Sequence, residues 1–120
     1  MPAKHDTLRS RLSQSREITI SVTGRKSGRS ISIPVWFVLD GDTLYLLPVS
    51  GSDTQWYQNI LRNPLIRVDA GSARGEFKVT PITDAKKVSS VVEKFRAKYS
   101  AGDVKKYYSK LDVAVVAPLP

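Results

Sequence analysis

The sequence predicts a mainly β domain with flanking helices, in which six short antiparallel strands close into a small barrel. Short segments that are apolar at alternate positions, or apolar throughout, are typical of strands. Turn signals rich in Gly, Asp and Ser separate these segments. Two helical patterns complete the order, one after the third strand and one before the last.

The 120 residues are enough for one domain with a core of its own. Residues 1–16 are rich in Arg and Lys and are interpreted as an N-terminal arm or short helix, because Leu8 and Leu12 lie one helical turn apart. Residues 17–120 form the predicted single barrel domain.

The first two predicted strands flank a basic loop. Residues 17–23 alternate between polar and apolar, and residues 30–39 are largely β-branched and aromatic. In the loop between them, Gly24 and Gly28 permit backbone angles that let N–H groups converge on an anion. The loop's side-chain donors are Arg25, Lys26, Ser27 and Arg29.

A solvated hairpin is the simpler interpretation of this basic loop, since exposed charge usually serves solvation. The loop is also not a P-loop, because three residues instead of four separate its glycines and a strand follows instead of a helix.

The second and third predicted strands, residues 30–39 and 43–49, are apolar on both faces. Such strands are covered on both sides, so we expect a helix, a ligand or a second subunit over them. Pro48 ends the third strand and leaves residues 49–51 as an irregular, accessible segment.

A capping box at Ser52 and Gln55 predicts a helix that runs to about Arg62 and stops at Asn63-Pro64. Trp56 and Tyr57 on this helix either pack in the core or face a planar or anionic ligand. The remaining segments follow in order: strands over residues 65–70 and 73–82, a helix capped by Thr83 or Asp84, a short helical or extended stretch over 104–110, and a last strand over 112–117.

The formal net charge of +8 indicates a polyanionic partner, which could be nucleic acid, an acidic membrane surface or a phosphorylated small molecule. Nucleic acid is disfavoured, because Trp36, Tyr45 and Tyr57 lie in apolar contexts instead of among exposed cations. The chain lacks cysteine and has one histidine, His5, so we expect no metal site. Without a membrane-length apolar run or a signal peptide, we expect a cytoplasmic protein.

Several motifs in this order and spacing resemble the deazaflavin-dependent nitroreductase family. They are the loop at residues 23–29, Ile33-Pro34, Asp40-Gly41-Asp42, Trp56-Tyr57-Gln58-Asn59 and Asn63-Pro64. The resemblance covers about residues 18–71. It implies the FMN-binding split β-barrel fold, a homodimer, and the coenzyme F420, a deazaflavin with a phosphate and an oligoglutamate tail.

The resemblance also implies a role for each part of the motif. Arg25, Lys26, Ser27 and Arg29 would hold the anionic tail of the cofactor. Pro34 would shape the adjoining wall, and Val49, Ser50 and Gly51 would lie along the tricyclic ring. Trp56, Tyr57 and Asn59 would close the pocket from the helix.

The reaction implied is hydride transfer from reduced F420 to a quinone, an enone or a nitro-type acceptor. A hydroxyl would donate the proton, and Tyr57 is the first candidate, with Ser50, Tyr107, Tyr108 and water as alternatives. The sequence departs from the family pattern in lacking a lysine after Ser50 and in carrying Ile31 where a cation is often present. FMN as the cofactor, or a non-catalytic binder of flavin, haem or fatty acid, therefore stays open.

Overall fold

The computed structural model describes residues 4–119, with side chains described from residue 8 onward. Residues 1–3 of the predicted arm, Pro120 and the His5 side chain lie outside this part. The helices are α1 Lys4–Gln14, α2 Gln55–Arg62, α3 Ala85–Tyr99 and α4 Ala101–Tyr107. The strands are β1 Ile18–Thr23, β2 Ser30–Val35, β3 Phe37–Asp40, β4 Thr43–Leu46, β5 Leu65–Ala70, β6 Ala73–Lys78, β7 Thr80–Ile82 and β8 Ala114–Pro118.

The strands form two four-stranded antiparallel sheets. Sheet A has the order β2-β1-β5-β6, and sheet B has the order β3-β4-β8-β7. The fold is therefore mainly β with helices, as the sequence predicts, but the pairing within residues 4–119 does not close into one barrel.

The prediction of six strands is wrong, because two of the predicted strands are each divided between the sheets. The segment 30–40 leaves sheet A at Trp36 and continues in sheet B, and the segment 73–82 does the same at Val79. Strands that switch sheets make the corners of packed β structures. The alternating apolar pattern runs through both breaks, so it carries no signal for them.

The core consists of two apolar clusters. The main cluster lies between the sheets, and Leu8 and Leu12 of α1 and Ile60 of α2 pack into it. The second cluster lies under α3 and α4, where Phe95 and Tyr99 belong to the same buried group as Leu47 of the segment after β4. These helices cover the outer apolar face of β3 and β4, which explains why those strands are apolar on both sides.

The helix ends show where local sequence signals were read correctly. Asp84 is the N-cap of α3, and its carboxylate accepts a hydrogen bond of 3.0 Å from the Lys87 N–H. At the other end of α3, Ser100, with a φ of 95°, separates this helix from α4. No helix within residues 4–119 is long and apolar enough to cross a membrane.

Lys98 of α3 ties together three elements at one end of the fold. Its ammonium group donates to the backbone oxygen of Phe37 at 2.9 Å and to that of Ser15 at 3.3 Å, and it lies 3.5 Å from the centre of the Phe37 ring. Burial, assisted by the nearby charge of Arg16, lowers the pKa of Lys98 to about 8.

This lowered pKa predicts how the free energy of unfolding depends on pH. Between pH 8 and the ordinary lysine pKa, the unfolded chain binds more protons at Lys98 than the folded chain, so this group makes stability rise with pH. We expect Lys98→Met to remove that contribution, which would flatten the curve between about pH 8 and 9.5. Urea unfolding at several pH values measures the slope.

The control is Lys87→Met, which removes an exposed lysine from the same helix and should keep the wild-type slope. Equal slopes for Lys98→Met and the wild-type chain would contradict the prediction.

Candidate ligand-binding site

A cavity of about 720 Å³ lies where sheet A passes into sheet B. Its volume is within the usual range for small-molecule sites, about 300–1,000 Å³. The walls come from the β2–β3 corner, the segment after β4, the start of α2 and the end of α4. Its lining is mostly apolar, with hydroxyl groups and two carboxylates: Glu17, Ile33, Pro34, Val35, Trp36, Leu47, Val49, Ser50, Asp53, Thr54, Gln55, Trp56, Tyr107 and Tyr108.

One wall is a set of aromatic rings around Trp36. The Trp36 ring stacks on Tyr99 at a centroid distance of 4.3 Å and an angle of 6°, and Tyr107 meets its edge at 5.3 Å. The Tyr99 hydroxyl accepts a hydrogen bond of 3.0 Å from the Phe37 N–H, which fixes the ring under the β2–β3 corner. Burial raises the pKa of the Tyr108 hydroxyl, so it stays protonated at neutral pH. The wall is therefore flat, fixed and able to donate hydrogen bonds.

The opposite wall begins with a 3₁₀ turn, Gly51–Asp53, which a later part of the chain holds in place. The Asp112 carboxylate accepts hydrogen bonds from the Ser52 N–H at 2.9 Å and from the Ser52 hydroxyl at 2.6 Å. These bonds hold the pKa of Asp112 below its usual value. The N–H of Ser109 also donates to the Val49 oxygen at 2.9 Å.

The predicted capping box at Ser52 is wrong. The N-cap of α2 is Thr54, and its hydroxyl oxygen accepts a hydrogen bond of 2.8 Å from the Ser50 N–H instead of capping the helix. Ser52 is bonded to Asp112, 60 residues later in the sequence, and a local motif search cannot anticipate such a partner.

The basic loop is attached to α2 beside the cavity. The backbone N–H of Arg25 and its guanidinium group both donate to Asn59 Oδ1, at 3.1 and 2.8 Å. The guanidinium group also donates to Gln55 Oε1 at 3.0 Å, and Gln55 lines the cavity. The loop is closed by bonds between Gly24 and its far end, while Lys26 and Arg29 remain exposed.

The structure thus brings together part of the predicted site. Pro34, Val49, Ser50 and Trp56 line the cavity. Arg25 and Asn59 are bonded to each other beside it, Lys26 and Arg29 are exposed in the loop next to Arg25, and the Ser27 hydroxyl oxygen accepts a hydrogen bond of 3.1 Å from the Arg29 N–H. Gly51 lies between two lining residues, Ser50 and Asp53, in the 3₁₀ turn that Asp112 holds in place and that we call the clamped turn.

Tyr57 is placed differently from the other predicted residues. Only 3% of it is exposed, and it belongs to the main core cluster instead of the cavity lining. Burial raises the pKa of its hydroxyl. Its predicted role as proton donor stays a prediction.

The aromatic wall was not predicted from the sequence. Trp36 lies in a predicted strand that is apolar on both faces, and this pattern is the one signal in the sequence that could have pointed to it. Tyr107 and Tyr108 were named only as alternative proton donors. Gln55 was considered only as part of a helix cap, and nothing in its sequence context points to a cavity. Within the described part of the chain, no three His, Cys, Asp or Glu residues are arranged to hold a metal ion.

A family model described as "Uncharacterized protein conserved in bacteria (DUF2255)" matches residues 9–115. The chain belongs to this family. No curated protein matches this DUF2255 chain in sequence.

Solved structures match the DUF2255 chain in fold. An F420-H2 dependent reductase (FDR-A) has a TM-score of 0.66 and 17% identity, over 85% of this chain and 93% of that one. A structure described as a domain-swapped dimer has a TM-score of 0.68 and 15% identity, over 96% and 99%. HutZ, the heme storage protein from Vibrio cholerae, has a TM-score of 0.70 and 10% identity, over 96% and 88%. At these identities the matches show the fold alone, which is that of split-barrel proteins.

The clamped turn predicts an unusual sensitivity at Gly51. Its φ is +55°, and a Cβ there would lie 2.0 Å from Asp112 Oδ1. Gly51→Ala must therefore displace the carboxylate that holds Ser52, which adds about 1–3 kcal/mol to a backbone cost of about 1–2 kcal/mol. Urea unfolding measures the loss.

Gly41→Ala is the matched control, because Gly41 has a similar φ of +60° but open space around it. It should show the backbone cost alone. Equal losses in the two variants would contradict the role of Asp112.

Proposed function

We propose that this protein is an oxidoreductase that binds F420, with the flat ring in the cavity and the anionic tail along the basic loop. The observation that carries the proposal is the hydrogen bond of 3.0 Å between Arg25 and Gln55, since it joins the basic loop to a residue of the cavity wall. One ligand with a planar apolar part and an anionic part would satisfy both surfaces.

The cavity lining fits a planar ring. Trp36 and Trp56 supply aromatic surface, and Val35 and Leu47 supply aliphatic surface. Hydroxyl groups of Ser50, Thr54 and Tyr107 offer hydrogen bonds to polar atoms at a ring edge. This composition suits a heterocycle better than a wholly apolar chain, which would offer no acceptor to the hydrogens of these hydroxyls.

The basic loop fits a phosphate and carboxylate tail. Lys26 and Arg29 are exposed and belong to none of the salt bridges within residues 8–119, so their charges are available to a ligand. Arg25 is held by Asn59 and would present a preorganised guanidinium group. Preorganisation reduces the entropy lost when a tail is bound.

When bound in its reduced form, F420 supplies a hydride, and the acceptor would be a quinone, an enone or a nitro-type compound. The protein's own contribution would be to hold the acceptor against the ring, to exclude water with the aromatic wall, and to keep a protonated hydroxyl within reach. Tyr107 and Tyr108 are the tyrosines that line the cavity, and burial, which raises the pKa of Tyr108, makes its hydroxyl a weaker acid than that of a free tyrosine.

FMN is the alternative cofactor, since it has a similar ring and a shorter anionic tail. Haem is less well suited to this lining. Among the described residues that line the cavity, Tyr107 and Tyr108 are the only ones of a type that ligates haem iron, and burial opposes formation of the Tyr108 tyrosinate.

We also infer a homodimer in the cytoplasm. A protein of this fold is described as a domain-swapped dimer, which supports the dimer.

Removing the two free cations of the loop tests the proposal. We expect Lys26→Ala combined with Arg29→Ala to weaken F420 binding at least about tenfold, because charge-assisted contacts contribute about 1.5–3 kcal/mol each before solvent weakens them. Fluorescence titration with F420, and separately with FMN, measures the affinity.

Lys86→Ala combined with Lys87→Ala is the control, as it removes the same charge from exposed positions on α3. This variant should bind F420 like the wild-type chain. A loss of equal size in both variants, or in neither, would argue against a tail on the basic loop.

Phe substitutions distinguish the candidate proton donors. Tyr107→Phe and Tyr108→Phe remove hydroxyls from the cavity wall, whereas Tyr57→Phe removes one from the core. We expect one of the two cavity variants to lower kcat at least about tenfold at unchanged F420 affinity, since proton donation contributes about 10²–10⁴-fold. Tyr57→Phe should stay close to wild type in F420-dependent menadione reduction. The reverse pattern would restore Tyr57 as the donor.

A further inference from the structure

Several hydroxyl groups in the cavity lining have a hydrogen that is not used within the protein. They belong to Ser50, Thr54, Tyr107 and Tyr108. None of these hydroxyls donates a hydrogen bond to another residue within 8–119. Each can therefore donate to an acceptor atom on a molecule in the cavity.

Thr54 differs from the other three because its hydroxyl oxygen is held in place. The oxygen, Oγ1, accepts a hydrogen bond of 2.8 Å from the Ser50 N–H. The backbone is fixed as well, since the Thr54 N–H donates to the Gly51 oxygen at 3.1 Å and the Gln58 N–H donates to the Thr54 oxygen at 3.0 Å. Within residues 8–119, no group donates to the other three hydroxyl oxygens. Thr54 is therefore the one hydroxyl of this set that is oriented before a ligand binds.

The charges around Thr54 favour a negatively charged atom in the cavity beside it. Thr54 is the N-cap of α2, and the first turn of this helix has no acidic residue to offset the partial positive charge of a helix start. The next residue, Gln55, accepts a hydrogen bond from the Arg25 guanidinium group. The preceding carboxylate, Asp53, is paired with Lys110 at 3.2 Å.

We propose that the Thr54 hydroxyl is a catalytic hydrogen-bond donor to the carbonyl oxygen of an enone or quinone acceptor. This inference rests on the proposed function and assigns Thr54 to the acceptor instead of the cofactor. The bond strengthens as negative charge develops on that oxygen, and a donor that is already fixed needs no reorganisation during the reaction. The restricted χ1 of a β-branched side chain helps to keep the donor in place.

Reduction of an enone shows where the charge moves. A hydride from reduced F420 forms a C–H bond at the β-carbon, and F420 is oxidised. The C=C electron pair shifts toward the carbonyl carbon, and the C=O pair moves onto the oxygen, which gives an enolate. Thr54 donates a hydrogen bond to this oxygen and keeps its proton. A proton from a tyrosine hydroxyl or from water then adds to the α-carbon and completes the saturated ketone.

A probe that needs no cofactor tests the donor. The oxygen of para-nitrophenol is neutral below its pKa and negatively charged above it, like the acceptor oxygen before and after hydride transfer. Calorimetric titration at a pH on each side of that pKa gives the Kd of the phenol and of the phenolate. For Thr54→Val we expect phenolate binding to weaken at least about tenfold and phenol binding about twofold or less, because hydrogen bonds to ionised oxygens are the stronger ones.

Two further variants separate the donor from a structural role of Thr54. Thr54→Ser keeps the hydroxyl and should bind the phenolate nearly as well as wild type. Thr54→Asp keeps an oxygen that can accept from the Ser50 N–H, but its carboxylate has no hydrogen to donate and repels the phenolate, so binding should be weaker than in Thr54→Val. The matched control is Thr80→Val, which alters an exposed threonine of β7 outside the cavity and should change neither Kd.

Kinetics and cofactor binding complete the test. With cyclohexenone as acceptor, Thr54→Val should lower kcat at least about tenfold at unchanged F420 affinity, since the lost bond matters most in the transition state. Equal weakening of phenol and phenolate in Thr54→Val, wild-type phenolate binding by Thr54→Asp, or a loss of F420 affinity in place of phenolate affinity would each overturn the inference. A wild-type chain that binds the phenolate through Thr54 but does not bind F420 would instead refute the proposed function and leave the donor role standing.

Discussion

The passage of the chain from sheet A to sheet B at Trp36 is the constraint on which the rest of the structure depends. At this corner β2 ends at Val35 and β3 begins at Phe37. Trp36 between them belongs to neither strand, and its ring stacks on Tyr99 of α3. The same departure opens the space between the two sheets that becomes the cavity. The corner is held from outside by the bond between the Phe37 N–H and the Tyr99 hydroxyl, so α3 fixes the site without lining it.

Two long-range hydrogen-bond systems complete the site on its other sides. Asp112 fixes the turn at Ser52, and Asn59 fixes the loop at Arg25. Each joins segments more than 30 residues apart, and each uses an ionised or amide side chain to satisfy backbone N–H groups that have no strand partner. The irregular segments around the cavity are therefore ordered by side chains instead of by sheet pairing, which leaves the ligand-facing side free.

Much of the fold could be predicted from local pattern, whereas the site could be predicted only in part. The helix α3, its N-cap Asp84 and the position of the basic loop between two strands were predicted correctly. These features depend on residues that are close together in the sequence. The breaks at Trp36 and Val79 could not be predicted, since alternation continues through a strand that changes sheets. The hydrogen bond between Ser52 and Asp112 could not be predicted either, because only the fold brings these two distant residues together. The family resemblance led to the prediction that Pro34, Val49, Ser50 and Trp56 belong to the site, and all four line the cavity. The aromatic wall could not be predicted in this way, because Trp36 is positioned by stacking on Tyr99 of α3.

The distribution of charge gives an anionic ligand one favoured direction in this cavity. The carboxylates of Glu17 and Asp53 line it. Of these two, only Asp53 takes part in a salt bridge within residues 8–119, with its Oδ2 3.2 Å from Lys110 Nζ. An anionic group placed beside Glu17 would meet repulsion in a partly apolar space, where charges interact more strongly than in water. At Gln55 the nearest charge is instead the Arg25 guanidinium, with Lys26 and Arg29 beyond it. A ligand with a neutral ring and an acidic tail would therefore be oriented by repulsion at one end and attraction at the other, before any contact specific to its ring is made.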